Sequence, residues 1–198
     1  MTAENESPST THVSVIDEFG NMVSTTHTIG GYFGSCIVAP GTGFPLNAHL
    51  SNQKLDIAEK DNPNFVQGGL RVMSTMCPTL VVRDGEPIMA IGSPGSWCIP
   101  PAIVQILNAV LLFDMDLQQA INEPRAIFTS YSAPIRVTAE PRLPEETIKY
   151  LEEAGYEMNV GRDWNTSLGS VGVIYENHEE GYVYAGGDNR RQYKSFAY

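Results

Sequence analysis

The sequence predicts an α+β domain of stacked antiparallel sheets with helices outside. Three observations carry this: extended hairpins near both ends, a long apolar stretch between them, and the order strands, strands, helices, strands. At 198 residues the chain is long enough for one domain with a sizeable core. A composition of 42% hydrophobic and 18% charged residues is that of an ordinary globular protein and argues against disorder.

The first nine residues, MTAENESPS, are polar and read as a tail or linker; residues 10–198 read as the domain. His12–Asp17 alternates, Glu18-Phe19-Gly20-Asn21 turns, and Met22–Thr28 continues extended, which is a β-hairpin. Glycines at 30, 31, 34, 41 and 43, with Pro40 and Pro45, predict loops around short extended pieces. Ser51–Gly69 is polar and irregular. A second hairpin joins Thr79–Val82 to Pro87–Ile91 through Arg83-Asp84-Gly85-Glu86. Ile99–Phe113 is almost wholly apolar and long enough for a buried helix. Leu117–Asn122 is a shorter helix, stopped before Pro124. Leu143-Pro144-Glu145-Glu146 opens another, with proline and acids in its first turn and Gly155 as its stop. A last hairpin pairs Ser170–Tyr175 with Tyr182–Gly186. No internal repeat and no domain boundary after residue 10 is visible.

Charge and cysteine usage exclude several classes. The net charge is −11, from 12 basic and 23 acidic residues, with no basic run, so nucleic acid and acidic membrane are poor partners. The charge reads as a solvated surface. No apolar run is long enough to span a bilayer, no signal peptide precedes the first strand, and the compartment is left open. Cys36, Cys77 and Cys98 form no CxxC pair and no metal-ligand spacing with the four histidines. They read as buried thiols; neither a metal nor a cofactor is expected.

The chemistry centres on Thr10, just ahead of the first strand. Threonine is a poor nucleophile unless a base lies beside it, and the nearest base is its own α-amino group, released if the Ser9–Thr10 bond is cut. Uncut, Thr10 is an ordinary strand residue. Thr26-His27-Thr28 ends the paired strand, and a hairpin brings those hydroxyls beside the start of the first strand; good β propensity accounts for these threonines equally. Gly92-Ser93-Pro94-Gly95-Ser96 joins a strand to a helix. Its amides are either a tight turn or donors to an anion at the helix start. It is no Walker loop, since no Gly-Lys-Ser/Thr follows. Ser74 and Thr75 place two adjacent hydroxyls before a strand, where they cap backbone groups or hold a carboxylate.

Taken in order, the words Thr10-Thr11-His12-x-Ser14-Val15, Asp17-x-x-Gly20-Asn21, Ser24-Thr25-Thr26 and Phe33-Gly34-Ser35 resemble the small subunit of the γ-glutamyltranspeptidases. So do Leu46-Asn47, Met73-Ser74-x-Met76-x-Pro78-Thr79, Gly92-Ser93-Pro94-Gly95 and Ala185-Gly186-x-Asp188-x-Arg190. The likeness runs from Thr10 to Tyr198. It implies an N-terminal-nucleophile hydrolase, a four-layer αββα sandwich, of which this chain would be the small-subunit half. It also implies a precursor that cuts itself into a large and a small subunit, the small one starting at the catalytic threonine. Thr10 would attack an amide carbonyl while its amine, with a pKa of about 7.7–8.0, accepts the proton. Water or an amine would then remove the acyl group from the enzyme. Thr28 would orient the nucleophile. The amides of Gly95 and Ser96 would form the oxyanion hole, normally Gly-Gly in the family. Ser74 and Thr75 would hold the substrate α-carboxylate, and His12 would pack beside the nucleophile. The arginine that pairs with this carboxylate belongs to the large subunit.

One part of the pattern departs. The family binds the glutamyl α-amino group with an asparagine, a glutamine or glutamate, and an aspartate, and those positions align with Gly30, His49 and Asn52. The carboxylate side of the pocket is kept, while the ammonium side has lost its negative charge. Desolvating an ammonium without a carboxylate partner is unfavourable. A glutaryl-like, N-blocked or deaminated acyl chain is therefore expected over a plain γ-glutamyl group, as in the cephalosporin acylases of the same superfamily. His49 is a lone imidazole that titrates near neutrality or simply packs. The rival expectation is an unprocessed or orphan half, non-catalytic alone, that serves as a partner-binding subunit.

Overall fold

The computed structural model describes residues 9–130 and 134–197. Residues 1–8 of the expected polar tail lie outside the described residues. The first hairpin is β1 (Thr11–Ile16) and β2 (Met22–His27), paired antiparallel with Thr11 opposite His27. Asp17 closes its turn, accepting from the amides of Phe19 and Asn21 and from the Asn21 side chain. Next come β3 (Thr79–Arg83) and β4 (Glu86–Gly92), then helices α1 (Ile99–Leu111) and α2 (Leu117–Asn122). Three short strands, β5 (Ala126–Phe128), β6 (Arg136–Ala139) and β7 (Glu157–Val160), surround helix α3 (Glu145–Glu153). The closing hairpin is β8 (Gly172–Asn177) and β9 (Tyr182–Gly187).

The central sheet runs β3-β4-β8-β9, all antiparallel. Strand β4 is buried on both faces, and its alternation decides what each face meets. Met89 and Ile91 join the apolar cluster that includes Ile99, Ile103 and Ile106 of α1 and Leu117 and Ile121 of α2. Full burial of each such side chain contributes about 1.5–3 kcal/mol. The other face carries small residues, Ala90 and Gly92, and the β1–β2 hairpin lies on it. A Cβ on Gly92 would stand 2.3 Å from Cε1 of His12, so only glycine admits the imidazole. The outer face of the hairpin leaves Val13, Val15 and Val23 about half exposed (47%, 47% and 52%). Helices, sheet and hairpin make three stacked layers, the α+β arrangement with antiparallel sheets that the sequence predicts.

The hairpins and the starts of all three helices fall where expected, and Gly155 follows α3 with a φ of +92°. Three features differ. Helix α1 stops at Leu111, leaving Leu112 and Phe113 exposed. The irregular segment 51–69 contains one-turn 3-10 helices at its start, His49–Asn52, and at Ile57–Glu59. The third sheet, β5-β6-β7, was not visible in the sequence and includes a parallel pair, β6 with β7. The cysteine expectation is corrected as well: Cys98 is buried in the core, but Cys77 is half-buried and Cys36 exposed, because Cys36 sits in the loop region before β3 rather than on a packed element.

A cluster of four buried charges ties the end of the third sheet to the β9 end. Arg125, Glu140, Asp188 and Arg190 are all at most 3% exposed. Arg190 forks onto Glu140 through Nε (2.7 Å) and Nη2 (2.5 Å) and reaches Asp188 through Nη1 (3.2 Å). Arg125 Nη2 lies 2.5 Å from the other Asp188 oxygen. The four buried members balance, two cations against two anions, and Arg142, itself paired with Asp163, also reaches Glu140 Oε2 at 3.0 Å. Removing one member would strand a buried charge, at a cost of about 3–5 kcal/mol.

Candidate active site

Thr10 stands one residue before β1, and the hairpin register brings it to Thr28, one residue beyond β2. Thr10 Oγ1 donates to Thr28 Oγ1 at 3.0 Å. Thr28 Oγ1 also accepts from the amide of Gly30 at 3.0 Å, which fixes its lone pairs towards the two donors. On the other side of the Ser9–Thr10 peptide bond, Ser9 Oγ donates to Gly30 O at 2.5 Å. Arg191 Nη1 reaches Thr10 O at 3.4 Å. The threonine is thus gripped through its side chain, its carbonyl and its neighbour.

Below it, a polar seam fastens the hairpin to β4. Ser14 Oγ donates to Ala90 O (3.0 Å) and Ser24 Oγ to Ile91 O (2.9 Å), while Thr79 N donates to Ser24 Oγ (3.0 Å). His12 lies between them, with Nε2 3.0 Å from Ser14 Oγ and Nδ1 2.9 Å from Thr26 Oγ1. With the Ser14 hydroxyl hydrogen committed to Ala90, the tautomer that satisfies both contacts carries its proton on Nε2 and accepts from Thr26 at Nδ1. Burial pushes the His12 pKa down to about 4, partly offset by a backbone hydrogen bond with Thr25. At neutral pH it is therefore an uncharged spacer and no base.

The loop between β4 and α1 turns sharply at Gly95 (φ +137°) and Ser96 (φ +49°). Neither amide donates to an acceptor among the described residues, while Gly95 O accepts from Cys98 N at 2.9 Å. Pro94, immediately before them, lines a cavity of about 260 Å³ together with Thr10, Thr11, His12 and residues 191–194. Two unengaged amides that follow a cavity-lining residue are groups that can stabilise a tetrahedral oxyanion.

The remaining candidates form a second ring. Gly30 packs against Ala48, whose amide donates to Ile29 O at 2.8 Å. Ala48 leads into the 3-10 turn carrying His49 and Asn52. Asn52 Nδ2 donates to Met73 O at 3.4 Å, which brings it beside Ser74. Ser74 Oγ accepts from Met76 N, and Ser74 is exposed while Thr75 is half-buried. His49 Nε2 is buried without a partner among the described residues. No acidic side chain bonds Gly30, His49 or Asn52 among the described residues. Thr10, Thr28 and Gly30 are therefore in direct contact, whereas His49, Asn52, Ser74 and Thr75 are reached through Ala48 and Met73. Among the described residues no cluster of three or more His, Cys, Asp or Glu side chains can hold a metal.

Sequence reasoning missed Arg125 and Glu140. It met Asp188 and Arg190 only as letters of a shared word. A proline-arginine pair and a glutamate-proline pair look like surface turns in a sequence; only the fold shows them buried.

Comparison with known proteins agrees with this fold. A family model described as Gamma-glutamyltranspeptidase matches residues 1–198. The chain is 33% identical over 172 residues to the glutathione hydrolase proenzyme of Bacillus subtilis (strain 168), covering 87% of this chain and 28% of that protein. It is 34% identical over 159 residues to the acylase ACY 1 proenzyme of Pseudomonas sp. (strain V22), covering 77% and 26%. The solved structure of gamma-glutamyltranspeptidase from Pseudomonas nitroreducens complexed with L-DON superimposes with a TM-score of 0.80 at 27% identity, covering 95% of this chain and 99% of that one. The chain thus spans 28% and 26% of the length of these two curated relatives.

Proposed function

The chain belongs to the gamma-glutamyltranspeptidase family, and from that premise we propose that it carries the nucleophile of an amide-cleaving acyltransferase. The observation that carries this reading is the 3.0 Å Thr10–Thr28 hydroxyl pair, with Thr10 sharing a cavity with Pro94, the residue just before Gly95 and Ser96. Residues 1–9 would be the segment upstream of a cut, and 10–198 the working domain. Relatives that are proenzymes, and a solved chain matched along 99% of its length, support that division.

In the cut, Thr10 Oγ1 attacks the Ser9 carbonyl carbon, the acyl bond moves from nitrogen to oxygen, and water hydrolyses the ester. The freed α-amine then takes the Oγ1 proton as Oγ1 attacks the substrate amide. The amides of Gly95 and Ser96 hold the oxyanion, where loss of one donor costs roughly 10²–10³ in rate. The amine leaves with the proton, and water or an acceptor amine attacks the threonyl ester. Thr28 keeps Oγ1 aimed. No metal or cofactor takes part in these steps. Mass spectrometry of the whole protein tests the first step: a species beginning at Thr10 is expected, and an active protein without one would overturn it.

For the acyl group, Ser74 and Thr75 are the carboxylate clasp, and Gly30, His49 and Asn52 face the α-position without a carboxylate. A glutaryl-type acyl group is therefore favoured over γ-glutamyl. Comparing kcat/KM for glutaryl and γ-glutamyl anilides decides it, and a clear γ-glutamyl preference rejects it.

One observation favours a second reading. The half-exposed Val13, Val15 and Val23 are a face that a large subunit would cover. A chain that stays joined at Ser9–Thr10 would then serve as a partner-binding half. An intact, inactive chain bound to a large subunit is what this reading requires.

A further inference from the structure

Gly95 owes its position to residues far along the chain. A Cβ on Gly95 would stand 2.7 Å from the Cα of Gly169, so the two backbones touch glycine against glycine. Gly169 is itself at φ +82°, and a Cβ there would meet Ser93 Oγ and Ala102 Cβ at 3.0 Å. The next amide, Ser170 N, donates to Ser93 Oγ at 2.8 Å and to Pro94 O at 3.3 Å. The candidate donor loop is therefore clipped onto Gly169-Ser170 and cannot move without it.

Gly169 is held in turn by the buried charges. Arg125 Nη1 donates to Gly169 O at 2.8 Å and to Leu168 O at 3.4 Å. Its other nitrogen is fixed by Asp188, whose Oδ2 also accepts from Val171 N at 3.0 Å. Arg190 and Glu140 lock Asp188 from behind, and the Arg125 amide donates to Glu140 Oε2 at 3.2 Å. A buried ionic cluster adds little net stability over apolar residues of the same volume, so stability alone gives no reason for it. A planar fork held at two ends does give something that packing cannot, a fixed direction for the carbonyls it grips.

We propose that Arg125, oriented by Asp188, is a positioning residue for the oxyanion donors: it holds Gly169 so that the Gly95 and Ser96 amides stay aimed at the reacting carbonyl beside Thr10. This rests on the reading of those amides as the oxyanion hole. Its core is a hydrogen-bonded path from Asp188 through Arg125 to Gly169, and a backbone contact from Gly169 to Gly95.

The test uses the whole protein with Thr10 freed, with rates counted per titrated active site. Arg125→Lys keeps the charge opposite Asp188 but loses the second arm on Gly169. The expected result is a fall in kcat of about 10–10²-fold, a donor KM within about twofold, and a matching loss of affinity for a tetrahedral anionic boronate analogue. Affinity for a planar, unreactive substrate analogue should not change. The paired exchange Arg125→Met with Asp188→Leu leaves no stranded charge, removes the same bond, and should give the same split. An unchanged boronate affinity in either variant, or equal losses for both analogues, overturns the proposal. Failure of the underlying reading looks different: the unaltered enzyme itself would bind the boronate no better than the planar analogue.

Discussion

The two faces of the central sheet are packed by opposite means. On one, Met89, Ile91 and Val173 join the isoleucines of α1 and the Leu117–Ile121 side of α2. On the other, Ala90 and Gly92 receive a hairpin through His12, Ser14 and Ser24, each held by hydrogen bonds. Apolar burial is strong and non-directional, so it keeps the sheet folded without caring about small shifts. Hydrogen bonds have narrow distance and angle limits, so they add less stability but fix place. Thr10 rides on the second kind of packing. Stability sits mainly on one face and alignment on the other.

Five measurements break or sharpen this contrast. The largest effect is expected at the threonine itself: Thr10→Ala should lower turnover by at least about 10³-fold and leave residues 1–9 attached, read by a rate assay and intact mass. Next, the two faces should respond differently to core damage. Ile103→Ala should cost about 2–5 kcal/mol in a urea melt yet leave kcat per folded molecule nearly unchanged. Gly92→Ala, which drives a methyl into the His12 ring, should cost about 1–3 kcal/mol and lower kcat more than its melt accounts for. If Ile103→Ala damaged kcat as much as Gly92→Ala, the division between faces would be wrong.

In the third measurement, Thr28→Val keeps the shape and deletes the hydroxyl; kcat should fall about 10–10²-fold with little change in melting. The fourth is a pH series. With the folded His12 pKa near 4, below the ordinary histidine value of about 6.5, the unfolded chain binds more protons between those values. Its contribution to stability is then present above about pH 6.5 and is lost as pH falls towards 4. Melts of the natural protein and of His12→Gln should differ in slope only across that window. The smallest effect is expected at Ser9→Ala, which removes the bond to Gly30 O: self-cutting should slow several-fold, and the cut enzyme, which no longer contains residue 9, should be unchanged.

Much of this was legible because it is local. The alternation of His12–Ile16 and Met22–Thr28, the Asp84-Gly85 turn, and the apolar run from Ile99 each announce an element within a few residues. Thr10 and Thr28 meet because a hairpin register makes them meet. The third sheet was hidden because Ala126–Phe128 and Arg136–Ala139 are too short to show a period, and β7 joins β6 in parallel only across a helix. The charge cluster was hidden for a different reason: Arg125 and Glu140 are letters that usually mean surface, and their burial depends on partners distant in the chain. Gly169 behind Gly95 is the same kind of relation, a contact with no local signature.

Consider, finally, what it means for the donor loop to be main chain. If the amides of Gly95 and Ser96 are the donors, no ordinary side-chain replacement at 96 deletes one; of the common amino acids only proline lacks the N–H. A saturation library screened for turnover would then show position 96 as tolerant, apart from proline and residues that resist its positive φ. The intolerant positions would surface elsewhere in the map, at Gly169 and Arg125. A reader of such a map who looked only for sensitive residues near the threonine would walk past the loop that matters.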